Sequence, residues 1–147
     1  AALLQASVFQ HSLQNQLAPV TLGFLALERL GQVGGFVAKA QVELLQALKA
    51  RHHWLAVATG KSRQGLNEAL THVELRGMFD GTRTADETAS KPHPLMLQEL
   101  MAVWGVPPER TLMIGDTTHD LLMAQNAGCP SVGVAYGAHD HAGFEAN

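Results

Sequence analysis

Two aspartates stand four residues apart in the stretch MIGDTTHD, which covers residues 113–120. An apolar run ends at Gly115 and Asp116, and Asp120 follows near the start of a predicted helix. A carboxylate at the end of a buried strand is costly unless it has a partner. Mg²⁺ is a hard cation that carboxylate oxygens bind well, so the pattern favours a metal site at Asp116. In an alternative interpretation, the two aspartates only cap the next helix.

The turn Thr59-Gly60-Lys61-Ser62 raises the question of a nucleotide-binding P-loop. That motif, G-x-x-x-x-G-K-[ST], needs a glycine at position 55, where this chain has Leu55. The pattern therefore favours a strand that ends in Thr59. Its hydroxyl, the amides after it and the N-terminus of the next helix would bind an anion. In the other interpretation, Thr59 and Ser62 merely cap that helix.

Lys91 stands in the loop TASKPHP, which covers residues 88–94 and precedes another predicted helix. A lone lysine in a loop is usually a solvated surface charge. Its interpretation as an anion-binding group therefore depends on the neighbouring segments.

Apolar strands and amphipathic helices alternate from residue 41 onward. This alternation predicts an α/β fold, a Rossmann-like parallel sheet with helices on both faces. In such sheets ligands bind beyond the carboxyl ends of the strands, and those ends carry Thr59 and Asp116. The predicted strands lie at 54–59, within 78–85, at 110–116 and at 130–137, and the predicted helices at 42–50, 62–73, 93–105 and 118–128.

Residues 1–40 differ in composition, because they contain no Asp and a single acidic residue, Glu28. The leucine spacing predicts one helix that ends near Pro19 and a second from Leu22 to Leu30. We therefore divide the chain into an N-terminal helical segment, residues 1–40, and an α/β core, residues 41–147.

The bulk composition is that of a globular domain: the 147 residues are 46% hydrophobic and 16% charged. The net charge of −3 and the lack of a basic stripe argue against nucleic acid and anionic membranes as partners. The single cysteine, Cys129, excludes an internal disulfide and is expected to be a buried thiol. With no long apolar run and no positively charged leader, we expect a soluble, cytoplasmic protein.

The order of these segments carries a family resemblance. Thr59 after one strand, Lys91 before a helix and GDTTHD after another strand resemble the haloacid dehalogenase (HAD) superfamily of phosphotransferases. The resemblance is greatest to the phosphoglycolate-phosphatase-like branch, which has a helical cap. It covers about residues 42–142 and rests on SKPHPLMLQEL and MIGDTTHDLLMAQNAG taken together.

The resemblance implies a role for each matching residue. Thr59 and the backbone at Gly60 would bind phosphate, and Lys91 would neutralise the phosphoryl group. Asp116 would ligate Mg²⁺, and the carboxylate of Asp120 would support Lys91 and the water shell of the metal. The implied activity is Mg²⁺-dependent hydrolysis of a small phosphorylated metabolite through an aspartyl-phosphate. Phosphoryl transfer needs mainly positioning and charge neutralisation, which these groups supply.

The family's first motif, D-x-D-x-T, is absent, since no Asp precedes Asp80. That motif supplies the nucleophile, so the resemblance implies a core incomplete at its N-terminus and shortened at its C-terminus. Residues 1–40 would then be part of the cap or unrelated sequence. Two functions stay open: a phosphatase in the complete parent protein, and an inactive fragment or interaction module that retains an anion site.

The missing strand also has a structural consequence. In the family it lies between the strands that end at Thr59 and Asp116, and unpaired strand edges recruit other strands. We therefore expect the gap to be filled from APVTLGFLAL, residues 18–27, or from another molecule by strand exchange or homo-oligomerisation.

Overall fold

The computed structural model of the chain describes residues 21–24, 35–72 and 75–133, and of residues 21–24 and 35–41 it describes the backbone alone. Strands and helices alternate along most of these residues. The strands are β1 (Thr21–Phe24), β2 (Leu55–Thr59), β3 (Gly81–Thr84), β4 (Thr111–Gly115) and β5 (Ser131–Gly133). The helices are α1 (Gly35–Ala50), α2 (Arg63–His72), α3 (Leu95–Trp104) and α4 (Thr118–Ala127), with a 3₁₀ turn at Pro108–Arg110.

The five strands form one parallel sheet in the order β3-β2-β1-β4-β5. The chain moves from β1 through β2 to β3 in one direction, and from β4 to β5 in the other. Right-handed crossovers therefore place α1 and α2 on one face and α3 and α4 on the other. The direction reverses between β1 and β4, where doubly wound sheets bind their ligands. The predicted α/β fold is confirmed.

Apolar side chains from both faces form the core. Every residue of β2 is buried, as expected for a strand covered by helices on both sides. Leucines of α1 and α2 and methionines of α3 and α4 belong to the same buried cluster. The largest fully buried apolar side chains include Leu45, Leu55, Leu66, Met96, Leu97, Leu100, Met113 and Met123.

Local capping residues delimit the helices as predicted. Ser62 precedes α2, and its hydroxyl oxygen accepts a hydrogen bond from the amide of Gly65 at 3.1 Å. Gly105 ends α3 and Gly128 ends α4, each in the left-handed conformation with φ of 62° and 75°. Because each capping residue acts on the adjacent turn of its own helix, these helix boundaries can be predicted from the sequence.

Strand β1 corrects the interpretation of the N-terminal region. Its leucine spacing suggested a helix from Leu22 to Leu30, but Thr21–Phe24 is a strand that pairs with both β2 and β4. The alternative prediction, that residues 18–27 fill the gap, is confirmed over these four residues. Two neighbouring strands with unpaired backbone groups outweigh a weak helical periodicity.

Several expectations lie outside the described residues. The predicted helix that ends near Pro19 is one of them. Residues 134–137 of the strand predicted at 130–137 are another. The division at residue 40, strand exchange, homo-oligomerisation and the cytoplasmic location stay predictions. Within the described ranges, none of the helices combines the length and the apolar character that a membrane crossing needs.

Candidate functional site

Thr59 and Asp116 reach the same edge of the sheet. Leu22 of β1 pairs with Leu55 on one side and with Leu112 on the other. Thr59 and Asp116 each follow those partners by four residues, so they lie level across the sheet. Since β1 separates their strands, the two strand axes are about 10 Å apart, twice the usual strand spacing. Both positions therefore lie at the edge of the sheet where doubly wound folds bind their ligands.

The turn after β2 is ordered by its own hydroxyl groups. Thr59 is buried, and its Oγ1 accepts a hydrogen bond from the amide of Lys61 at 3.1 Å. Ser62 caps α2, so the capping interpretation is correct for that residue. A hydroxyl that accepts one hydrogen bond still has a proton to donate. Thr59 can therefore order the turn and contact a ligand.

Lys91 is largely buried, unlike the solvated loop lysine of the alternative interpretation. Its Nζ donates to Oδ1 of Asp120 at 2.5 Å, and the two side chains are only 13% and 1% exposed. The same loop is tied to α4 a second time, because Nδ2 of Asn126 donates to the Pro92 carbonyl at 3.0 Å. Nothing in the sequence pattern indicated Asn126.

The second oxygen of Asp120 organises the start of α4. Oδ2 accepts hydrogen bonds from the amides of Asp116 and Thr117, both at 3.2 Å, and from Thr117 Oγ1 at 3.0 Å. Thr117 is the N-cap, and it forms a capping box with Asp120. Asp120 therefore caps the helix and also pairs with Lys91, whereas Asp116 is not the cap. The spacing T-x-x-D could have indicated Thr117.

Gly115 makes room for this carboxylate. A Cβ atom at position 115 would lie 2.2 Å from Cβ and 2.8 Å from Cγ of Asp120, far inside van der Waals contact. By contrast, a Cβ atom at Gly60 would meet nothing within 4 Å. The glycine before Asp116 is thus required by packing against Asp120.

The N-terminus of α2 corrects one expectation. The first helical amide, that of Arg63, donates to Oδ1 and Oδ2 of Asp86 at 3.1 and 3.2 Å. A carboxylate of the protein therefore already balances this helix terminus. An anion at the site would meet the turn at Gly60 rather than the first amide of the helix.

A divalent cation fits this edge only in part. Asp116 is buried at the end of β4, where a carboxylate ligand for Mg²⁺ is expected. Both oxygens of Asp120 are already hydrogen-bonded. Among the described residues, no group of three Asp, Glu, His or Cys side chains could hold a metal ion. Mg²⁺ usually keeps several waters and is bound through one or two carboxylates together with substrate phosphates, so Asp116 would be one such protein ligand.

An open groove of about 750 Å³ runs along the exposed face of α2. Arg63 and Asp86 line one end of it, and none of Thr59, Lys91 and Asp116 does. The groove is therefore separate from the edge at which the candidate residues gather.

Comparisons with known proteins identify relatives for most of the chain. A family model described as haloacid dehalogenase-like hydrolase matches residues 37–134. A relative described as probable phosphatase IndB, from Dickeya dadantii, is 42% identical over 111 residues, which is 75% of this chain and 48% of that protein. The pyrophosphatase PpaX of Bacillus mycoides is 36% identical over 105 residues, which is 71% of this chain and 49% of that protein.

A solved structure agrees with these sequence relatives. The crystal structure of a predicted phosphoglycolate phosphatase from Haemophilus somnus superposes with a TM-score of 0.63 at 34% identity. The match covers 65% of this chain and 43% of that one. The chain thus spans about half the length of the curated relatives it matches.

Proposed function

Because the chain belongs to the haloacid dehalogenase-like hydrolase family, we propose that its site binds the phosphoryl group of a small phosphomonoester. In the complete protein, this binding serves hydrolysis of the ester. The observation that carries the proposal is the buried ion pair of Lys91 and Asp120 beside Asp116. A buried lysine held by a carboxylate at the ligand-binding edge of an α/β sheet suits a dianionic ligand.

Each residue has a distinct role in this proposal. The Thr59 hydroxyl and the Gly60 amide donate hydrogen bonds to phosphoryl oxygens. The ammonium group of Lys91 neutralises charge on the same group, and Asp120 fixes the ammonium in place. Charge neutralisation by groups positioned in advance is the main requirement of phosphoryl transfer.

Asp116 is the residue that would hold Mg²⁺. When bound, the cation neutralises phosphoryl charge and orients the ligand. Asp120 is engaged with Lys91, Thr117 and the backbone, so in this proposal it acts on the lysine. The names of the relatives, a pyrophosphatase and a predicted phosphoglycolate phosphatase, support a small phosphorylated metabolite as substrate.

A second candidate follows from the composition of the central strand. Thr21–Phe24 contains no carboxylate, and no Asp precedes Asp80. The family's covalent step uses an Asp on that strand as its nucleophile. This chain by itself would then bind a phosphoryl group without turnover, and the nucleophile of an active phosphatase would come from residues outside it.

Binding and turnover measured side by side test both candidates. We expect isothermal titration to detect inorganic phosphate binding in the presence of Mg²⁺, and we expect Lys91→Met to abolish it. Asp116→Asn should weaken Mg²⁺ binding, because one charge of the ligand is lost. Lys49→Met is the matched control, since that lysine pairs with Asp80 on the surface.

Failure to bind phosphate, or equal binding by the Lys91 and Lys49 variants, would refute the site. Phosphate release from p-nitrophenyl phosphate or phosphoglycolate tests whether this chain turns over on its own, which the second candidate excludes. Turnover on the usual enzyme scale of about 1–10³ per second would rule out the non-catalytic candidate.

A further inference from the structure

The guanidinium group of Arg63 connects two segments that adjoin residues of the proposed site. Its Nε and Nη2 donate to Oε1 and Oε2 of Glu87, both at 2.7 Å, and its Nη1 donates to Thr82 Oγ1 at 2.7 Å. Such a fork-to-carboxylate pair fixes orientation as well as distance. Arg63 directly follows the turn Thr59-Gly60-Lys61-Ser62, and Glu87 belongs to the loop that carries Lys91.

Backbone contacts connect the same two segments. The Arg63 amide donates to Asp86, whose Oδ1 also accepts from the Thr84 hydroxyl at 2.5 Å. The Ala85 amide donates to the Lys61 carbonyl at 3.1 Å. The turn after β2 is therefore held to the loop after β3 by contacts at the Lys61 carbonyl and the Arg63 amide.

The ionisation of the carboxylates is consistent with this arrangement. The pKa of Asp86 lies below its ordinary value, chiefly because of the Thr84 hydroxyl and then the Arg63 amide. The pKa of Glu87 is also lowered, chiefly by the hydrogen bond from Arg63. Both groups are charged at neutral pH and remain available to Arg63.

We propose that Arg63, Asp86 and Glu87 form a clamp that positions the phosphate-binding turn, Thr59 and Gly60, relative to Lys91. The three are positioning residues that act through the groups expected to contact the ligand. Exposed ion pairs contribute little to stability, so the contribution of this clamp is geometric. The inference rests on the proposed function, because it concerns the geometry of the same phosphate site.

Whether phosphate affinity rises or falls when a negative charge is removed distinguishes a positioning role from a direct electrostatic effect. Glu87→Gln removes a negative charge near the site, which by charge alone would strengthen the binding of an anion. If the carboxylate holds Arg63 and the turn in place, the same substitution weakens binding. Arg63→Lys keeps the positive charge but loses the planar fork, so it should weaken binding as well.

The experiment titrates the chain and its variants with inorganic phosphate in the presence of Mg²⁺, and the binding is followed by calorimetry. We expect Glu87→Gln and Arg63→Lys to bind phosphate about tenfold more weakly, because small displacements of binding groups are costly. Glu99→Gln is the matched control. It breaks the 2.7 Å Arg83–Glu99 pair, which is similarly exposed but joins β3 to α3. Its phosphate affinity should not change.

Hydrogen exchange gives a second measurement that does not depend on the ligand. The amides of residues 59–63 should exchange faster in both clamp variants and at the original rate in Glu99→Gln. If circular dichroism shows that Glu87→Gln is unfolded, Arg63→Lys decides the matter. Clamp variants that bind phosphate as tightly as the original chain, or more tightly, overturn this inference alone. An original chain that binds no phosphate overturns the proposed function together with it.

Discussion

Replacing Lys91 with Met tests whether burial governs the energetics of the site. The substitution keeps an unbranched side chain and removes the ammonium group that donates to Asp120 Oδ1 at 2.5 Å. Because Asp120 is 1% exposed, water cannot replace that hydrogen bond. Removing one partner of a buried ion pair typically destabilises a protein by about 3–5 kcal/mol.

The remaining hydrogen bonds of Asp120 reduce this cost. Its Oδ2 still accepts hydrogen bonds from the amides of Asp116 and Thr117 and from the Thr117 hydroxyl. Only the Oδ1 atom therefore loses its hydrogen-bond donor. We therefore expect the lower end of the range, a loss of about 3 kcal/mol in the free energy of unfolding. With a urea m value of about 2 kcal/mol per M, the unfolding midpoint falls by about 1.5 M.

Lys49→Met supplies the matched control. Lys49 Nζ lies 2.6 Å from Asp80 Oδ1, nearly the same distance, but these side chains are 36% and 21% exposed. Surface pairs contribute about 0–1 kcal/mol, so the midpoint should fall by no more than about 0.5 M. Urea unfolding followed by far-ultraviolet circular dichroism measures both variants under identical conditions.

Equal midpoints for the two lysine variants would contradict the reasoning from burial. The double variant Lys91→Met with Asp120→Asn adds a further test. Removing both charges should leave the chain at least about 1 kcal/mol more stable than the sum of the single changes predicts. A strictly additive result would mean that the two side chains do not stabilise each other.

Three further predictions concern other features. Gly115→Ala should lower the free energy of unfolding in urea by about 1–3 kcal/mol, because the new Cβ overlaps Asp120. Gly60→Ala should have a far smaller effect, since a Cβ there meets nothing within 4 Å. Equal losses would refute the packing argument. Burial raises the pKa of the Cys129 thiol to about 11. Iodoacetamide at pH 8 should therefore modify the folded chain at least about 100-fold more slowly than the urea-unfolded chain. Comparable rates would place the thiol at the surface. The pKa of Asp86 is lower in the folded chain than its value near 4 in the unfolded chain. The contacts of its carboxylate therefore stabilise the folded chain above the unfolded-state pKa, and they are lost as the pH falls through the folded-state pKa. Exchange protection of residues 59–63, corrected for intrinsic rates, should therefore stay constant from about pH 8 to 5, and a transition within that window would contradict the prediction.

The sequence alone determined the elements whose signals are local. The buried run that ends in Thr59 predicted β2, and the run that ends before Asp116 predicted β4. Ser62, Gly105 and Gly128 marked helix boundaries, because a capping residue acts on the backbone of its own turn. Parallel order then placed both strand ends at one edge, which is why the candidate site could be located.

Tertiary structure decided the features that depend on distant partners. The leucine spacing from Leu22 to Leu30 predicted a helix, but Thr21–Phe24 became a strand because β2 and β4 offer unpaired backbone groups on either side. Arg63 and Glu87 are 24 residues apart, and no local pattern relates them. The same holds for Lys91 and Asp120, whose separation of 29 residues is closed only when the loop after β3 packs on α4. A side chain's burial and charge partners arise from that packing, since spacing along the chain constrains neighbours only within a turn or a strand pair.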